Sequence, residues 1–252
     1  MRDNVEALGD IGERNFDRIA RAVCKHRALS DANLNLFLDV NHRELTLYDC
    51  TNIKEASLKS IASFCPHLRK IVLKMCGRLN DAVLDDWATR MRSLTHLELY
   101  APYLVTRDQW IKYLTSFKDT DSEDEQSRSL TGFGLQQSAR FDDDCIRALV
   151  DNHKDTLEFL QLSEIGKLST ESLKLLHPLQ NLTHLDLRRA GFPAGDKLKD
   201  EDVVALIENC GEHLRELILD RASRQSYFTR CSSRGVFRLL HRERVIDGPR
   251  SD

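Results

Sequence analysis

Two histidines stand in copies of one string. SLTHLELYAPYLV (93–105) and NLTHLDLRRAGFP (181–193) share Leu-Thr-His-Leu-x-Leu, which puts His96 and His184 at matching positions. A pair of imidazoles is a common start to a zinc site, where Zn–N bonds are ~2.1 Å. Seven cysteines, at 24, 50, 65, 76, 145, 210 and 231, are the other candidate ligands or nucleophiles. Their number is odd and no C-x-x-C pair occurs, which argues against both a zinc ribbon and a disulfide framework. Single thiols packed as small hydrophobes are the simpler expectation. The remaining histidines (26, 42, 67, 153, 177, 213 and 241) show no ligand spacing. G-x-G-x-x-G, G-x-x-x-x-G-K-[ST], G-x-S-x-G and H-E-x-x-H are all missing. The sequence therefore predicts no catalytic residue, no metal, no cofactor and no small-molecule substrate.

The elements that carry the histidines explain the echo better. Leu-x-x-Leu-x-Leu is matched, fully or nearly, by HRELTL (42–47), LRKIVL (68–73), LTHLEL (94–99), LTGFGL (130–135), LEFLQL (157–162), LTHLDL (182–187) and LRELIL (214–219). The final leucines are separated by 26, 26, 36, 27, 25 and 32 residues. Most of these steps fall within the ~20–29-residue period of leucine-rich repeats. The two long steps hold SFKDTDSEDEQSRS (116–129) and AGFPAGDKLKDED (190–202), whose acids, Ser, Gly and Pro predict surface loops. Within each segment the alternation of apolar residues predicts a short strand with one buried face. Between segments, Asp81, Asp142–Asp144, Thr170 and Asp200 precede helical apolar stripes, as N-capping residues do.

The expected fold is thus α/β: a leucine-rich-repeat solenoid of about seven repeats, with an inner parallel sheet, outer helices and an irregular C-terminal tail. Its parts are a helical N-terminal cap (1–40), repeats with two insertions (41–220) and a basic tail (221–252). His96 and His184 fall three coils apart, about 14 Å at a strand spacing of ~4.8 Å, too far for one metal ion. Cys50 and Cys76 each stand three residues after a final leucine, where a side chain can meet buried backbone groups as the chain turns. Gly132-Phe133-Gly134 is a piece of a repeat strand.

Charge is unevenly spread. The net charge is -3, yet eight arginines and three acids from Arg221 onward give +5, leaving -8 for residues 1–220. The body therefore lacks an overall basic excess for gripping phosphate backbones. The tail allows two readings, a basic arm for nucleic acid or residues not native to the fold. No apolar run approaches the ~20 residues of a membrane span.

Several strings carry a resemblance. LGDIGERNFDRIARAVCKHRAL (8–29), LFLDVNHRELTLYDCTNI (36–53), PHLRKIVLKMCGRLND (66–81) and LELYAPYLVTRDQW (97–110) resemble the leucine-rich subunit of the fungal global-genome nucleotide-excision-repair complex. This radiation-sensitivity family works with a Swi/Snf-type ATPase. The likeness covers roughly 5–220, and LGDIG, YDC and MCG in that order are its most specific part. It implies a non-enzymatic nuclear adaptor acting on damaged DNA, and leaves open direct and indirect contact with that DNA. It also implies a link to an elongin-C/cullin ubiquitin ligase as the substrate-side subunit. The family's polar N-terminal region, its Leu-x-x-x-Cys box before LGDIG and its further C-terminal repeats are expected to be missing, as in a truncated product. The cysteine-containing repeats also resemble F-box-type leucine-rich-repeat proteins, so an F-box-like substrate receptor unrelated to repair is the alternative.

An adaptor needs a surface, and residues flanking the last strand leucine should face away from the core. These are Thr46/Tyr48, Val72/Lys74, Glu98/Tyr100, Gly134/Gln136, Gln161/Ser163, Asp186/Arg188 and Ile218/Asp220. Tyr48, Lys74 and Tyr100 form an expected trio on adjacent coils, and with Arg188 they are the candidate partner-binding residues, because exposed aromatics beside cations suit protein interfaces.

Overall fold

A strand must end where its leucines end, and in each repeat the chain then has to turn out of the sheet within three residues. A computed structural model describes residues 13–118, 128–190, 200–210, 212–219 and 238–240. Its strands are β1 (Glu44–Leu47), β2 (Lys70–Leu73), β3 (His96–Tyr100), β4 (Gly132–Gln136), β5 (Phe159–Ser163), β6 (His184–Asp186), β7 (Glu216–Ile218) and β8 (Arg238–Leu240). They pair in sequence order as one parallel sheet. Helix α1 (Glu13–Lys25) precedes them. Helices α2 (Glu55–Phe64), α3 (Asp81–Arg90), α4 (Arg107–Thr115), α5 (Asp143–His153), α6 (Thr170–Leu175) and α7 (Asp200–Cys210) alternate with strands β1 to β7. This is a leucine-rich-repeat solenoid. Among the described residues no helix is long and apolar enough to cross a membrane.

The register repeats the leucine template. Leu47, Leu73, Leu99, Leu135 and Leu162 lie side by side, as do Leu45, Ile71, Leu97, Phe133, Leu160, Leu185 and Leu217. Both columns are buried against the helix layer. One coil exposes this apolar face; stacking covers it.

The exit turns share one conformation. Two residues after the final leucine, Met75, Ala101, Gln137, Glu164 and Arg189 all take left-handed φ values of 53° to 64°. The next residue, Cys76, Pro102, Ser138, Ile165 or Ala190, is buried beneath the turn. Cys50 and Cys76 donate their backbone N–H to the carbonyls of Lys74 and Tyr100 on the next coil, at 2.9 and 3.0 Å. The Cys76 thiol reaches the Tyr100 carbonyl as well, at 3.2 Å. Burial raises the thiol of Cys65 to about 11 and those of Cys76, Cys145 and Cys210 to about 12, so they stay protonated. A protonated, enclosed thiol is a poor nucleophile.

One expectation changes. The predicted loop 116–129 starts as helix: Ser116–Lys118 extends α4 as a 3-10 turn. Phe117 within it is buried and packs edge-on against Tyr113 and His153. An aromatic ring adjacent to a helix end finds the core even inside a polar segment. Residues 119–127 and 191–199, the rest of the two insertions, lie outside the described residues. Within the predicted irregular tail, β8 pairs parallel with β7, whose open edge offers unpaired backbone groups. The other residues of 220–252 lie outside the described residues.

Candidate functional site

The inner face is built of three columns of side chains, fixed by the register. One runs Glu44, Lys70, His96, Gly132, Phe159, His184, Glu216; the next Thr46, Val72, Glu98, Gly134, Gln161, Asp186, Ile218; and across β3 to β5 Tyr100, Gln136 and Ser163 pair as the third. Tyr48, Lys74 and Arg188 occupy the same place, one residue past the final leucine, on their own coils.

The trio comes together. The Lys74 ammonium lies 5.4 Å from the centroid of the Tyr48 ring and 5.1 Å from that of Tyr100. The Arg21 guanidinium also lies over the Tyr48 ring, at 4.4 Å, while the phenol donates to Asp17 of α1 at 2.7 Å. The cations thus sit near the ring faces, where the ring quadrupoles attract them. Burial, then the Asp17 hydrogen bond, pushes the Tyr48 phenol up to about 12. Burial and the Glu98 carboxylate raise Tyr100 too, so both phenols remain neutral donors.

Arg188 does not join the trio directly. Its guanidinium grips Asp186 on its own coil, Nη2 to Oδ2 at 2.6 Å and Nε to Oδ1 at 3.0 Å. A polar chain links the two regions. The Tyr100 hydroxyl lies 3.0 Å from Gln161 Oε1, and the Gln161 amide donates to Asp186 Oδ2 at 3.2 Å.

That link crosses β4 because β4 is bare. A Cβ on Gly134 would come within 2.8 Å of Glu98 Cγ, and one on Gly132 within 1.9 Å of His96 Nδ1. The two glycines let side chains of β3 lean across to β5. His96 reaches Phe159 with ring centroids 5.1 Å apart, and Phe159 stacks on His184 at 4.5 Å. The twin histidines are therefore the ends of a ring ladder with Phe159 between them. Each donates to a carboxylate: His96 to Glu98 at 2.8 Å and His184 to Glu216 at 3.0 Å. Among the described residues no group of three metal-ligating side chains forms.

Leaning also corrects the expectation of an open face. Val72, Glu98, Gln161, Ser163 and Asp186 do point away from the leucine core, yet they are buried, Asp186 to 1% exposure. Burial raises the Glu98 carboxyl, but hydrogen bonds from His96 and Tyr100 and the charge of Lys70 together hold it below the usual range. Sequence reasoning read Gly132 and Gly134 only as part of a repeat strand, placed Gln161 on the inner face without a role, and passed over Phe159. The signal for them was the Gly-x-Gly of LTGFGL read in column order with its neighbours.

No family model matches the chain. It is 33% identical over 217 residues to the DNA repair protein rhp7 of Schizosaccharomyces pombe, covering 86% of this chain. It is 31% identical over 215 residues to the DNA repair protein RAD7 of Saccharomyces cerevisiae, covering 85% of this chain. The chain spans 36% of the length of each of these relatives. A crystal structure of Rad7 in complex with Elc1 from yeast superposes with a TM-score of 0.72 at 31% identity, over 84% of this chain and 50% of that one. In sequence and in fold, this chain is a homologue of the Rad7/rhp7 DNA repair proteins, with their leucine-rich-repeat architecture.

Proposed function

We propose that the chain is the repeat region of a non-enzymatic adaptor in nucleotide-excision repair of damaged DNA. In this reading it works in the nucleus, as the substrate-side part of a cullin ubiquitin ligase reached through an elongin-C-type subunit, beside a Swi/Snf-type ATPase. The observation that carries the reading is the homology to two DNA repair proteins, together with the fold shared with Rad7 solved in complex with Elc1. The geometry supports an adaptor. Two tyrosine rings flanking a lysine that has no ion-pair partner among the described residues make an anchor of the kind that dominates protein interfaces. Tyr48, Lys74 and Tyr100 are the proposed contact residues, with Arg188 at the far end of the polar chain from Tyr100.

Affinity capture of the chain from a fungal nuclear extract tests this. Recovery of a Swi/Snf-type ATPase is expected, and the Lys74→Glu variant should lose it while keeping its melting temperature. Recovery of a Skp-type adaptor without the ATPase would favour the F-box-like alternative. Capture unaffected by Lys74→Glu would remove the inner face from the interface.

A further inference from the structure

Helix α1 has two faces of different chemistry. Phe16, Ile19, Ala20, Val23 and Cys24 pack against the first coil, with the Phe16 ring edge-on to Phe37 and His42. On the other face, every exposed charged residue between 15 and 28 is basic: Arg18, Arg21, Lys25 and Arg27, joined by His26. Their spacing of three, four and two residues keeps them on one side of the helix and its end. Arg18, Lys25 and Arg27 form no ion pair among the described residues, whereas Arg21 pairs with Asp17. The stripe stands on a body whose charge through residue 220 is -8.

A second observation concerns Arg27. The helix ends with Ala28 N–H donating to Val23 O at 3.0 Å and Arg27 N–H to Cys24 O at 2.9 Å, which puts Arg27 at the left-handed position, φ 52°. Glycine fits this position without strain and is the usual residue there. Here the chain holds a strained arginine with its side chain in solvent. Strain kept at an exposed position points to use of the side chain.

We propose that this α1 stripe binds the phosphate backbone of duplex nucleic acid without reading its sequence. Arg18 to Arg27 spans about 13 Å at ~1.5 Å per residue, which faces about four phosphates of one strand at ~3.4 Å each. A lipid surface fits less well, because the apolar face of α1 is already buried and nothing is left to insert. An acidic protein fits less well, because Asn15, Ala22 and Ala28, the other exposed residues, supply no apolar anchor. This surface borders the proposed contact residues, because Arg21 lies over the Tyr48 ring; the variants that test it leave Arg21, Tyr48 and Lys74 in place.

The test is fluorescence anisotropy of the full chain with a labelled duplex of about 20 base pairs and arbitrary sequence, from ~50 to ~200 mM salt. The logarithm of affinity should fall linearly with the logarithm of salt. Replacing Arg18 and Lys25 by Gln should lower that slope by about 2, close to 1 per cation removed. Arg27→Gly should weaken binding while raising the melting temperature, a divergence that a purely structural role does not give. An unchanged slope in the double variant would assign binding to the arginines after Arg221 and overturn the proposal. So would absence of binding by the unaltered chain, or equal affinity for poly-glutamate or for phosphatidylserine vesicles.

Discussion

Gly134 shows how much a missing side chain can organise. Its Cβ position is the space into which the Glu98 stem leans, on the coil that the Tyr100–Gln161 hydrogen bond crosses. Gly134→Ala puts a methyl 2.8 Å from the Glu98 stem, not its flexible tip, so the cost is that of overpacking, about 1–3 kcal/mol. Thermal melts should show it, and Gly132→Ala should cost at least as much, because the ring it meets, His96, is bonded to Glu98 and packed on Phe159. Glu98 makes a second residue-scale prediction. Its folded pKa is depressed, so its stabilising contribution is present above the ordinary carboxyl range near ~4.3 and is lost as pH falls below it. Denaturant melts at neutral pH and near pH ~3 should show an acid loss that Glu98→Gln reduces; an equal loss in both proteins would place the acid-sensitive group elsewhere. This pair was hard to see in the sequence. LTGFGL reads as a weak copy of the repeat, and only the register reveals that its glycines lie between His96, Glu98 and Phe159.

Helix starts were far more legible, because capping is local chemistry. Asn80, Thr106, Asp142 and Ser169 cap α3, α4, α5 and α6, each accepting a backbone N–H of the first turn. The predicted acids Asp81 and Asp142–Asp144 fall at these ends, one residue from the actual cap in the case of Asp81. What local reading could not show is that each start is tied to the next coil. Asn80 donates to Glu55 at 2.7 Å, Asp81 accepts from the backbone and hydroxyl of Thr106 at 2.8 Å each, and Arg107 donates to Asp142 at 2.7 Å. Ser169 and Ser172 continue the line to Asp143. These bonds join neighbouring helices along their N-terminal edge, so a cap change should propagate by one coil. Asp81→Ala is expected to cost about 1–2 kcal/mol, because it leaves the start of α4 without its acceptor. A double-mutant cycle with Thr106→Ala should give a coupling of at least ~0.5 kcal/mol; strictly additive losses would show that the two helices are held together by packing alone.

At the scale of the whole molecule the leucine period was the readable part, because each repeat must place the same side chain in the same buried column. Leu47, Leu73, Leu99, Leu135 and Leu162 meet side by side as the spacing predicts, despite the long step before Leu135. The inner columns were not readable, since nothing in a period says which exposed side chains lean on one another across a glycine. A solenoid also distributes stability in a way a globule does not: each coil is held mainly by its two neighbours. Leu135, fully buried in β4, sits mid-array, and truncating it to Ala should cost about 2–5 kcal/mol. The loss should be local. Hydrogen exchange should speed most in β3, β4 and β5, which share the column, and least in β1 and β7, which do not touch it. The same truncation at Leu47, in the first strand, should speed exchange in β1 and β2 and leave β5 and β6 protected. Uniform acceleration across β1 to β7 in either variant would mean that the array unfolds as one cooperative block, and that the cross-coil bonds of the helix edge and the ring ladder over β4 outweigh the nearest-neighbour logic of the repeat.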